Sequence, residues 1–168
     1  MAIDTKKVFA RRPLRYDSYQ DLVNDAERLA ACDVRSLGNW SPGQTLGHLA
    51  RAMELSIDGA DFKASWLVRL AARIFYRQRC ISGPMPPGIR LPREAQALLV
   101  PEEVDVQTAL AELRLAVLRL QHDTERAPHP VFGEMSLDEW DSFHLRHAEL
   151  HMSFLVAQAA PMAVEAAF

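Results

Sequence analysis

The sequence predicts an all-α fold, a bundle of helices forming a single domain. Three observations lead there. Apolar residues recur at helical spacing in successive stretches, two of those stretches open on capping boxes, and no segment reads convincingly as a strand. At 168 residues, 49% hydrophobic and 24% charged, the chain has the size and composition of one domain with a real core. The domain is expected to occupy residues 1–168, with its core from about residue 12 to 158 and a frayed C-terminal tail.

The first helix is expected from about Asp17 to Cys32, where Leu22, Ala26, Leu29 and Ala30 share a face. The second opens at "SPGQ". Ser41 is its N-cap, Pro42 takes the first helical position and Gln44 closes a capping box. Leu46, Leu49, Met53 and Ile57 then line one face, and Gly59 marks the end. A third stretch, Phe62 to about Ile81, is apolar but studded with arginines. The Pro/Gly-rich connection from Ser82 to Pro101 follows, long enough to suggest a lid or a mobile loop. The fourth helix spans roughly Asp105 to Glu125, with the strong helix-former "ALAELRLAVLRL". After the turn "APHPVFGE", the fifth starts at Ser136, where Glu139 completes a second capping box, and runs to about Gln158. The tail "AAPMAVEAAF" is expected to fray.

A net charge of −3 argues against general affinity for nucleic acid, and no zinc-finger spacing or RNP-like run is present. The N-terminus lacks the apolar core of a signal peptide, and no window reaches the roughly 18 apolar residues of a membrane span. Cys32 and Cys80 form no CxxC pair and read as free thiols of a reducing compartment. A cytoplasmic protein without stable membrane association is expected.

Three of the six histidines lie in "FHLRHAELH", at His144, His147 and His151. At about 100° per residue, Trp140, Phe143, His144, Leu150, His151 and Phe154 all fall within about 60° of His147. Glu149, Asp138, Ser142 and Ser153 fall roughly opposite. The histidines therefore share the aromatic face that a bundle buries. Buried imidazoles need partners, and either hydrogen bonds in the core or a divalent ion supplies them. His147 and His151, four apart, are spaced for two rings to converge on one ion. His48, in the row Thr45, His48, Ala52, Leu55, Gly59 of the second helix, offers a third ligand. Three histidines with open positions match a catalytic rather than a closed structural site. Ala148 and Leu150 stand where HExxH and HxxEH peptidases need glutamate, which argues against those enzymes.

"NWSPGQTLGHLARAMELSIDG" (Asn39 to Gly59) and "HPVFGEMSLDEWDSFHLRHAELHMSFL" (His129 to Leu155) resemble the two signature blocks of the DUF1569 family, within the DinB/YfiT-like superfamily. "RPLRYDSYQDLVNDAERL" also fits, so the resemblance covers roughly Arg12 to Leu155. It implies a DinB-like four-helix bundle with one additional short helical, Pro-rich connecting segment. It further implies a zinc or nickel ion on His48, His147 and His151. His144 lies outside that trio and is expected beside it, orienting a ligand ring or accepting a proton. Relatives that transfer or isomerise with low-molecular-weight thiols suggest activation of a thiol or water on a small-molecule substrate, for transfer or hydrolysis. A homodimer is also expected.

The competing reading is a non-catalytic binding or regulatory bundle acting as a homodimer. Arg69, Arg73 and Arg77 recur every four residues beside Trp66, Leu70 and Ile74, a pattern suited to an acidic partner, an anionic substrate or simply a solvated face. His129, before Pro130, is expected to shape its turn. His122 is placed to favour a helix C-terminus, and Trp40 to staple or anchor the second helix.

Overall fold

The computed structural model describes residues 2–89, 95, 98–100 and 102–158. Predominantly helical, it departs from all-α in a small two-stranded sheet. After a short 3-10 turn at Thr5–Lys7 come α1 (Tyr19–Ala30), β1 (Val34–Ser36), α2 (Pro42–Asp58), α3 (Trp66–Phe75) and α4 (Arg77–Ser82). Then follow α5 (Val106–His122), α6 (Leu137–Met152) and β2 (Leu155–Ala157). The expected tail, residues 159–168, and part of the Ser82–Pro101 connection lie outside the described residues.

Capping fixes where the long helices begin. Ser41 with Gln44 and Ser136 with Glu139 form the boxes expected from sequence, and Ser18 with Asp21 forms another at α1. Gly59 ends α2 at a φ of 85°, in the region that favours glycine. Gly43 serves a different purpose. A Cβ there would overlap the carbonyl oxygen of Val104, so the missing side chain lets the start of α2 lie against the backbone entering α5.

Helices α1, α2, α5 and α6 surround the main core, which includes Leu22, Leu46, Leu49, Met53, Leu113 and Met152. A second, smaller cluster of Cys80, Met85 and Phe132 lies beside it, joined by Ala72, Phe143 and Leu150. The expected third helix divides at Tyr76 into α3 and α4. The expected fifth helix stops at Met152, and the chain beyond extends as β2 to pair antiparallel with β1. Val34, Arg35 and Ser36 face Ala157, Val156 and Leu155 respectively. Strands of three residues are too short to show an alternating pattern, which is why the sequence did not reveal them.

The face of α6 opposite the histidines is only partly solvated: Asp138 is exposed and Ser142 half-buried in its first turns, whereas its C-terminal end is covered. Glu149 and Ser153 are buried, as is Arg146. Glu149 accepts from the backbone N–H of Tyr16 at 2.6 Å and pairs with Arg146 at 2.8 Å, while Arg146 donates to the Tyr16 carbonyl. This buried polar network fastens the N-terminal arm to α6. Among the described residues no helix is long and apolar enough to cross a membrane.

Candidate metal centre

Helix α2 supplies His48 and helix α6 supplies His147 and His151, one turn apart. The structure brings these three together: one ring nitrogen from each lies within 4.8 Å of the others. The Nε2 of His147 lies 3.2 Å from that of His48 and 3.0 Å from that of His151. His48 is buried, and the other two are half-buried.

Hydrogen-bond chemistry decides how these atoms are protonated. The Nδ1 of His48 lies 2.7 Å from the carbonyl oxygen of Leu99. A carbonyl only accepts, so Nδ1 carries the hydrogen and the Nε2 of the neutral ring is bare. A neutral His147 then has no arrangement that satisfies both its neighbours. With a hydrogen on Nε2 it can direct one full bond, towards one ring. Without it, its lone pair faces the bare nitrogen of His48.

Protonation of a ring is a poor escape. Burial lowers the pKa of His48 to about 4, although the bond to Leu99 works the other way. Burial, followed by the neighbouring His151 and His48, holds His147 well below 6.5, and burial with His48 does the same to His151. A divalent ion between the rings would accept all three lone pairs at once. With metal–nitrogen bonds of about 2.0–2.1 Å, tetrahedral ligand atoms stand about 3.4 Å apart, close to the 3.0 and 3.2 Å found here. Three neutral imidazoles so arranged could hold a divalent metal ion.

Aromatic rings wall the trio. Trp40 stacks on His151, with centroids 5.1 Å apart and planes at 11°, and tilts against His48 at 4.7 Å. Phe143 stacks on His147 at 5.8 Å. Trp40 is therefore part of the site as well as the residue preceding the α2 cap. Neither the stacking of Trp40 on His151 nor the carbonyl of Leu99 against His48 was legible in the sequence, because each joins chain segments far apart in it.

His144 is placed differently. Its Nε2 lies 3.0 Å from Ser56 Oγ, which itself donates to the carbonyl of Met53 at 2.6 Å. The hydroxyl hydrogen is thus used, so His144 donates from Nε2, and its bare Nδ1 is buried without a partner among the described residues. The ring stacks on Trp140 at 5.2 Å. Burial drives its pKa down to about 3, leaving a weak base at neutral pH.

The remaining sequence candidates separate by role. His129 accepts the backbone N–H groups of Val131 and Phe132 through Nδ1, both at 3.0 Å, and so shapes its turn. His122 is exposed in the last turn of α5. Arg77 reaches both carboxylate oxygens of Glu139, at 2.8 and 2.9 Å. Cys80 is buried in the second cluster and Cys32 is exposed.

Residues 9–158 match the family described as "Protein of unknown function (DUF1569)". No curated protein and no solved structure matches the chain.

Proposed function

The chain belongs to the DUF1569 family, and from that premise we propose that it is a metal-dependent enzyme of the DinB/YfiT-like superfamily. The four helices around the main core are compatible with that superfamily's bundle. His48, His147 and His151 would hold a divalent ion, zinc or nickel. One observation carries the reading: three imidazole nitrogens converge in a buried setting where neutral rings cannot satisfy one another. When bound, such an ion supplies Lewis acidity that lowers the pKa of a thiol or water towards neutrality.

The protein's own residues prepare that chemistry. Leu99 fixes the tautomer of His48, and Trp40 and Phe143 hold the other rings in place. The half-burial of His147 and His151 is compatible with access by a small-molecule substrate, and the family resemblance suggests transfer or hydrolysis by an activated thiol or water. His144 is a positioning residue in this scheme. It ties α6 to Ser56 of α2 and stacks on Trp140, and its low basicity counts against proton transfer.

Elemental analysis of the native purified protein tests the proposal, followed by a thiol-transfer assay with an electrophilic model substrate. Near-stoichiometric zinc or nickel is expected. Protein that carries no metal and cannot be loaded with zinc, nickel or cobalt would overturn it.

A further inference from the structure

Helix α3 is mounted with its apolar side outwards. Its ten residues include none that is buried. Trp66, Leu67, Val68, Leu70, Ile74 and Phe75 are between 52% and 73% exposed. The side turned to the protein carries Ala72, packed against the second cluster, and Arg69, whose Nε is buried. The arginine stripe is therefore not simply the solvated face of an amphipathic helix. Arg69 is half-buried and Arg77, just beyond α3, is held by Glu139, while the residues facing water are large and apolar.

Such a face needs a cover, and the surrounding charge indicates its chemistry. From Phe62 to Ile89 the sequence has five cations and no carboxylate, in a chain whose net charge is −3. Lys63 before α3, Arg73 within it and Arg79 after it are all exposed. A second copy related by a twofold axis would bring these three exposed cations towards their own copies. An anionic bilayer surface instead offers acyl chains to the apolar face and phosphates to the flanking cations. Trp66 and Tyr76, at the two ends of the helix, are the residue types favoured at that boundary.

We infer that α3 is an interfacial anchor that docks the protein reversibly on anionic lipid. The attachment lies flat, is sensitive to salt, and differs from the stable membrane association that the sequence argues against. It stands independently of the metal reading. Phe143, which stacks on His147, packs against the same second cluster as Ala72 on the inner side of α3.

The test is flotation of the full chain with vesicles of phosphatidylcholine alone or with added phosphatidylglycerol. Binding is expected on the anionic vesicles, falling as salt is raised, with a blue shift of tryptophan emission. Arg73→Gln should weaken it about fivefold, the effect of one cation near an anionic surface. Leu70→Glu with Ile74→Glu should abolish it while circular dichroism stays unchanged, because both side chains are exposed. No binding, or equal binding to both vesicle types, overturns the inference. So does a dimer dispersed by the double substitution in a protein that ignores vesicles, since the face would then belong to a second copy.

Discussion

The Nδ1 of His48 and the carbonyl oxygen of Leu99 are 2.7 Å apart, and that contact fixes which nitrogen of His48 is free. The ring should be neutral and protonated on Nδ1 at pH 7, since burial takes its pKa to about 4. Long-range proton–nitrogen correlation spectra would show this directly. A His48 ring carrying its hydrogen on Nε2 would contradict the geometry.

Metal retention should divide the histidines of α6. His147→Ala removes the nitrogen that bridges the other two, and should lower affinity by more than about 100-fold, the upper range for losing an outer partner. His144→Ala leaves all three nitrogens in place and should cost less than about tenfold. Elemental analysis after dialysis against a weak chelator measures both. Equal losses would place His144 among the ligands.

Acid should destabilise the metal-free protein through histidines that hold no ion. Burial lowers His129 to about 4 and His144 to about 3, from an ordinary value of 6.5. As pH falls through 6.5, the unfolded chain takes up protons that the folded protein refuses. Stability is therefore complete above 6.5 and declines towards pH 4, each ring contributing at most about 1.4 kcal/mol per pH unit. Urea titrations at pH 7 and pH 5 measure the slope, and equal stabilities would refute it.

Glu149→Ala should be among the more damaging substitutions away from the histidine trio. It would leave the buried guanidinium of Arg146 without its carboxylate and the Tyr16 N–H without its acceptor. Breaking a buried pair from one side costs about 3–5 kcal/mol. Chemical denaturation measures the loss, and a change below about 1 kcal/mol would show that the pair is not protected from water.

The parts of the fold that the sequence announces are those governed by local rules. Ser41 with Gln44, and Ser136 with Glu139, placed two helix starts, and helical periodicity put His48, His147 and His151 on faces that meet. The sheet, the break at Tyr76 and the outward mounting of α3 were not announced, because each is settled by what packs alongside. Periodicity showed that α3 has two sides and left open which one meets the protein. The same limit applied to α6: Glu149 does face away from the histidines, but towards Tyr16 and Arg146 rather than water.

The pairing of β1 with β2 has a mechanical consequence. Trp40 and the start of α2 follow β1 by a few residues, and His151 precedes β2 by a few. The ladder is thus a gauge that sets the offset between the two chain segments bearing the histidines. A slip of one residue would shift it by about 3.3 Å and invert the faces of the strand. That shift equals the whole 3.2 Å between the nitrogens of His48 and His147, so the tolerance of the assembly is finer than one peptide unit.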